Sequence, residues 1–323
     1  MSDAESEGDG VNAAGTEGDG MSDAGTEGDG VNAAGTEGDG VSDAGTEGDG
    51  VNAAGTEGDG VNAGSSKNPI TITSSSPVKD TSWIKNLSLS FDDKARIETP
   101  GGWLNDAVVN AAQQMLQQQS GLCGFQNTQY GKDYGFKHLT GKFVQVLNVH
   151  RSHWITVSNI VCEADTVNVY DSAYAWLNLD TKKQLRAIIR PSKYLIANMI
   201  NIQRQSNGSD CGLFALACAT ELAHARDPLL SFWDVTQMRS HLVCCLEGNY
   251  FSCFPLGKPR RVPIKNSIKK KVQETVYCIC RMPNDRKMAM IRCDQCKQWF
   301  HKECMQVPES KSMKDEQWVC NQH

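Results

Sequence analysis

Four side chains in this chain have the types and spacing needed for acyl transfer through a thiol. Cys211 follows Gln205-Ser206-Asn207-Gly208-Ser209-Asp210 and precedes Gly212 and the apolar run Leu213-Phe214-Ala215-Leu216-Ala217. Asn, Gly, Ser and Asp tolerate turn dihedrals and bond their own backbone, so 206–210 reads as a loop. The run from Leu213 through Ala225 is rich in Ala and Leu and free of Pro and Gly, which predicts a helix. Cys211 then stands at a helix N-terminus, where unpaired N–H groups and the positive dipole end favour a thiolate, the nucleophilic form. A lone Cys opening a helix is more often a small core residue, so the case depends on its companions. Gln205, six residues upstream, can offer its amide to an oxyanion.

A thiol nucleophile needs a base, and the base needs a group to orient it. His153 heads the apolar run Trp154-Ile155-Thr156-Val157, and Asp171 follows Val169-Tyr170. Two short strands with a tight connection can bring these side chains together. His150 is a rival base without the aromatic neighbour, and Asp165 a rival acid in a turn, where Asp is expected for turn reasons.

A second chemistry lies near the C-terminal end. Cys278 and Cys280, Cys293 and Cys296, His301 and Cys304, Cys320 and His323 form four pairs of soft or imidazole ligands. Eight such ligands suit two tetrahedral zinc ions, without which so short a segment could hardly fold. Cys244, Cys245 and Cys253, near His241, match no zinc spacing and read as core cysteines.

These residues must be positioned by something, and the pattern implies an α+β domain. Asn105 or Asp106 caps a predicted helix running to about Gln119. Residues 143–149, 154–157, 166–170 and 196–205 read as strands, and 180–190 and 233–246 as helices. No stretch approaches 18 apolar residues, so no membrane span is expected, and no secretory signal is visible. Thirteen Cys without such a signal point to reduced thiols in metal or catalytic roles.

Charge divides the chain. Of its 38 acidic residues 16 fall in 1–64, which hold no Lys or Arg, leaving 22 against all 32 bases and a net of +10 in the remainder. Residues 1–64 are decapeptide repeats with one Val or Met per unit, too few to build a core, so they read as a disordered acidic tail. Residues 65–80 are a Ser/Thr-rich linker in which 69–73 could pair with a partner's sheet edge. Residues 258–271 carry seven bases and no acid, including Arg260-Arg261 and Lys269-Lys270-Lys271, a nuclear-import or nucleic-acid pattern.

Trp103-Leu104-Asn105-Asp106, His153-Trp154, Tyr170-Asp171-Ser172 and Gln205-x5-Cys211-Gly212 occur in the order found in the Ulp/sentrin-specific proteases, and 81–256 resembles that family. The resemblance implies a papain-like cysteine protease that cleaves after the C-terminal diglycine of SUMO or a related ubiquitin-like modifier, needing no cofactor for the reaction. It implies His153 as base, Asp171 as its orienter, Cys211 as nucleophile and Gln205 as oxyanion donor. Trp103 and Trp154 would wall a tunnel for the diglycine, where any Cβ would clash. The ligand order in 275–323 resembles a PHD finger rather than a RING. That likeness implies one zinc on Cys278, Cys280, His301 and Cys304 and another on Cys293, Cys296, Cys320 and His323, with His323 replacing the usual Cys. PHD fingers of the methyl-lysine type read histone H3 tails, and Tyr277, Met290 and Trp299 match a partial cage able to attract a quaternary ammonium.

The expected architecture is an α+β protease domain (81–256), a basic linker (257–274) and a small zinc-stabilised PHD finger (275–323), after the acidic tail and Ser/Thr linker. The expected function is a peptidase brought to chromatin in the nucleus, shared or not with the cytoplasm. Its expected partners are a ubiquitin-like protein and a methylated histone tail, with no membrane and no nucleic acid beyond the basic linker. The alternative is a chromatin-binding module whose protease domain only docks the modifier.

Overall fold

The computed structural model describes residues 81–258, 267–308 and 317–321. The acidic repeats, the Ser/Thr segment with 69–73, the Arg260-Arg261 pair and His323 lie outside the described residues.

Strand β1 (Ser82–Ile84) pairs with β2 (Leu89–Ser90), and helix α1 (Phe91–Glu98) starts directly after it. Ser90 Oγ accepts from the Asp93 N–H at 3.2 Å, and the Asp93 carboxylate accepts from the Ser90 N–H at 2.9 Å, a reciprocal cap. Helix α2 (Asp106–Ser120) is capped by Asn105, whose Oδ1 accepts from the Val108 N–H at 3.0 Å. The Asn105 Nδ2 donates to Asp93 at 2.7 Å. One amide therefore ties two helix starts together and fixes the Trp103-Leu104 segment between them. Asp106, the other possible cap, instead accepts from Thr128 Oγ1 at 2.6 Å.

There follow β3 (Cys123–Gly124), β4 (Phe143–Val149), β5 (His153–Ser158), β6 (Thr166–Tyr170), α3 (Leu179–Ile189), β7 (Tyr194–Ile200), α4 (Cys211–Ala223), α5 (Val235–Glu247), β8 (Ile268–Tyr277) and β9 (Met282–Pro283). The sheet runs β3-β4-β5-β6-β7-β8-β9; β3/β4 and β6/β7 are parallel and the other pairs antiparallel. Alternation along the strands separates two cores. Val144, Val146 and Trp154 join the side chains of α2, α4 and α5, whereas Leu147, Val149, Ile155 and Val157 join those of α3. Helices thus cover both faces, and α4, buried at every position except Ala223, is the central one. This is the α+β class.

One boundary is corrected. Residues 268–274, expected as linker, are strand: β8 pairs with β7 from Tyr194↔Thr275 to Ile200↔Ile268. The lysines leave their side chains in water while the backbone completes the ladder, and Val272 and Val276 pack into the α3-side core. A run of charge hid a two-residue period. The strand expected over 196–205 ends at Ile200, and Gln203 beyond it accepts from the Trp233 N–H at 2.6 Å. Past β9, the small hairpin of β10 (Met290–Arg292) and β11 (Trp299–His301) completes the C-terminal module.

Candidate active site and zinc-binding module

Cys211 is the first residue of α4, and the loop before it is held by named bonds. Asn207 Oδ1 accepts from the Ser209 and Asp210 N–H groups, both at 3.0 Å, while its Nδ2 donates to Asp210 at 2.6 Å. Asp210 also accepts from Arg239 Nη2 at 2.6 Å, and the same guanidinium donates to the Ile97 and Gly102 carbonyls at 2.9 and 2.8 Å. Arg239, on α5, therefore links the loop before Cys211 to the end of α1 and to the residue before Trp103. A Cβ on Gly212 would lie 3.0 Å from Leu104, so the glycine after Cys211 lets α4 seat tightly on that segment.

His153 opens β5 on its α3 side. Its Nε2 donates to Asp171 Oδ1 at 2.9 Å. The same oxygen accepts from the Ala173 and Tyr174 N–H groups, both at 2.8 Å, so the carboxylate is fixed by its own turn. With Nε2 engaged, the other ring nitrogen is left for a thiol, and Cys211 is near enough to act on the imidazole. Burial disfavours the imidazolium, yet the bond to Asp171 and then the neighbouring Cys211, with the charges behind them, prevail and raise His153 to about 9. The structure thus brings Cys211, His153 and Asp171 together. The rival base His150 donates its backbone N–H to Asp180 at 3.0 Å, and Asp165 accepts from the Ser192 N–H at 3.0 Å.

Gln205 lies beside them. Its Oε1 accepts from Ser172 Oγ at 2.6 Å and its Nε2 donates to the Asn207 carbonyl at 2.6 Å, leaving a second amide N–H for another acceptor. Trp103, His153, Tyr174, Trp176, Gln205 and Gly208 are among the walls of a cleft of about 560 Å³. Cys211 is 1 % exposed and is not among the lining residues. The two tryptophans part company. Trp103 is 46 % exposed on the cleft, whereas Trp154 is 3 % exposed and donates its indole N–H to the Leu104 carbonyl at 3.0 Å. In this conformation Trp154 supports the Trp103 segment from below rather than facing a tunnel. Sequence reasoning passed over Tyr174, Trp176, Arg204 and Arg239. The two aromatics lie in a loop with no periodicity to flag them, and their only signal was closeness to Asp171.

In the C-terminal module the ligand atoms of Cys278, Cys280, His301 and Cys304 all lie within 4.8 Å of one another, as do those of Cys293, Cys296 and Cys320. His301 Nδ1 sits 3.2 Å from Cys280 Sγ, and the backbone N–H groups of Cys296 and Cys320 point at Cys293 Sγ at 3.4 Å each. Sulfur and imidazole donors converging in this way fit zinc, and the N–H groups on Cys293 would stabilise a ligating thiolate. The pairing is the cross-brace that the PHD resemblance implies; His323, the eighth ligand implied, lies outside the described residues. Met290 and Trp299 share one face of the β10/β11 hairpin, and the Trp299 carbonyl accepts from the Cys278 N–H at 3.1 Å, next to half-buried Tyr277. Cys245 Sγ lies 3.3 Å from His241 Nε2, but no metal cluster forms around them among the described residues.

This ligand arrangement defines a two-zinc cross-brace module. The PHD-finger family model matches residues 278–322, and the C-terminal module is a PHD finger. The nucleosome-remodeling factor subunit NURF301 of Drosophila melanogaster is 34 % identical over 64 residues, 20 % of this chain and 2 % of that protein. The lysine-specific demethylase phf2 of Danio rerio is 54 % identical over 37 residues, 12 % of this chain and 4 % of that protein. The chain thus spans only 2–5 % of the length of such curated relatives. Among solved structures, the C-terminal Ulp1 protease domain in complex with Smt3, the yeast ortholog of SUMO, aligns at 16 % identity and TM-score 0.41 over 50 % of this chain and 83 % of that one. The Chaetomium thermophilum Ulp1-like SUMO protease catalytic domain aligns at 17 % identity and TM-score 0.37 over 47 % and 76 %.

Proposed function

We propose that the chain is a cysteine peptidase that cleaves after the C-terminal diglycine of a SUMO-type modifier and is carried to chromatin in the nucleus by its PHD finger. One observation carries the reading: a single imidazole is bonded to a turn-fixed carboxylate and has the thiol at a helix start as its electrostatic neighbour. Cys211 Sγ attacks the glycine carbonyl as His153 holds the thiol proton. The free N–H of Gln205 and the Cys211 backbone N–H receive the oxyanion. His153 returns its proton to the leaving amine, and water then releases the acyl-enzyme with the imidazole as base. Two zinc ions, held by the cross-brace ligands with His323 as the eighth, stabilise the PHD fold and take no part in the reaction. The partial cage of Tyr277, Met290 and Trp299 would receive a methylated lysine of a histone H3 tail.

A second reading, a domain that docks the modifier without turnover, draws on the burial of Cys211. Incubation with SUMO propargylamide and its ubiquitin and NEDD8 counterparts separates the two. The peptidase reading expects an intact-mass adduct with one of these probes that is lost in Cys211→Ser; a folded chain that forms no adduct with any of them contradicts it.

A further inference from the structure

Gln205 can serve an oxyanion only if its amide is turned the right way, because one end of that group donates and the other accepts. The Asn207 carbonyl, which can only accept, lies 2.6 Å from the amide nitrogen and so fixes which end is which. Oε1 is then left facing Ser172, whose Oγ is 2.6 Å away and must be the donor. Ser172 is 2 % exposed, so its hydroxyl makes this bond out of reach of bulk water. The backbone repeats the link: the Gln205 N–H donates to the Ser172 carbonyl at 3.1 Å, and Arg204 donates to the Ala173 carbonyl. These bonds clasp 204–205 to 172–173. The residue before Ser172 is Asp171, whose Oδ1 accepts from His153 Nε2 at 2.9 Å. Consecutive side chains just past β6 thus reach different groups, one the imidazole and the other the amide.

We infer that Ser172 is a positioning residue that holds the Gln205 amide with one N–H turned toward the oxyanion, so that Asp171 and Ser172 set the base and the oxyanion donor from one turn. The inference rests on the peptidase reading and adds a residue to it. The Asn207 carbonyl alone is not enough, since it occupies one N–H and lets the amide swing about that bond. With the Ser172 hydroxyl on Oε1 the amide is pinned at both ends, and its second N–H keeps one direction. A donor fixed before charge develops needs no reorganisation when the oxyanion forms. Losing the hydroxyl leaves the amide present but free to swing, so the penalty falls on the transition state rather than on binding of the modifier. A Ser172 that merely packed the turn would act differently: its loss would loosen Asp171 and disturb the imidazole.

The test uses the full chain and SUMO joined at its terminal Gly to aminomethylcoumarin, or the ubiquitin or NEDD8 counterpart where that is the probe that labels Cys211. Ser172→Ala should lower kcat about tenfold while KM changes by less than about twofold. The alkaline limb of its pH–rate profile should stay at the wild-type position, because His153 keeps Asp171. In a Gln205→Ala background the same substitution should lower kcat by less than about twofold, since an amide that is gone cannot be misaimed. Melting curves establish that the variants are folded, and Ser172→Cys, close in size but a weaker donor, is the second variant, with a kcat between wild type and Ser172→Ala. An equal loss with and without Gln205, a displaced alkaline limb, or an unchanged kcat in Ser172→Ala would each overturn the inference. Absence of a propargylamide adduct in the wild-type chain would remove the underlying peptidase reading, an outcome distinct from a labelled enzyme whose turnover ignores Ser172.

Discussion

His153 gives the residue scale its clearest number. Burial opposes its charge, the Asp171 and Cys211 contacts outweigh it, and the folded value of about 9 lies above the ordinary 6.5. A raised folded value means that this group's contribution to stability is complete below about pH 6.5 and is lost as pH rises through about 9. Turnover that depends on the imidazolium should fall along the same alkaline limb. Asp171→Asn removes the leading favourable contact, so the limb should move to lower pH and kcat should fall on the order of 10²–10⁴-fold. A pH–rate profile checks this; an unmoved limb in the variant would mean that Asp171 does not set the imidazole. The Gln205 amide makes a narrower case. Gln205→Ala should lower kcat on the order of 10²-fold while leaving KM for SUMO-type substrates nearly unchanged, because an oxyanion contact acts mainly in the transition state.

At the scale of elements, the site depends on where α4 begins, and Arg239 sets that. Its guanidinium serves Asp210 and two carbonyls from a half-buried position. Arg239→Ala strands a largely buried carboxylate and should cost about 3 kcal/mol in urea unfolding. Arg239→Lys should recover only part, since an ammonium cannot fork across three acceptors. A loss below about 0.5 kcal/mol would show that the loop holds itself. The same elements show what the sequence could reveal. Phe143–Val149 and Thr166–Tyr170 were legible as strands because their apolar runs are bounded by polar turns, and Asn105 was legible as a cap from its place before the helix. The places of Cys211 and His153 at the starts of α4 and β5, and of Asp171 just past β6, were legible for the same reason. β8 was not, since Lys269-Lys270-Lys271 masked its alternation, and its partner Tyr194–Ile200 is remote in sequence. The burial of Trp154 was not legible either, for an indole next to His153 in sequence can face the cleft or the core.

Across the whole molecule, the PHD finger is built into the other domain rather than hung from it. β8 completes the seven-stranded sheet and runs directly into Cys278, while Lys182 and Lys183 of α3 pair with Glu274 and Asp285 at 2.5 and 2.7 Å. Those lysines follow Thr181, which lines the cleft. Metal removal should therefore reach beyond the zinc sites. Chelation by 1,10-phenanthroline, or Cys293→Ser, should lower the melting temperature of the sheet domain as well as unfold the finger, although the thiol chemistry uses no metal. A sheet transition that stays in place while the finger unfolds would make the two halves independent. The claim beneath all of this is that one imidazole is held between a carboxylate and a thiol, and an NMR titration of His153 in the intact chain tests it most directly. The account predicts a midpoint near 9 that falls toward 6.5 in Asp171→Asn and also drops in Cys211→Ser; a midpoint near 6.5 that neither substitution moves would contradict it.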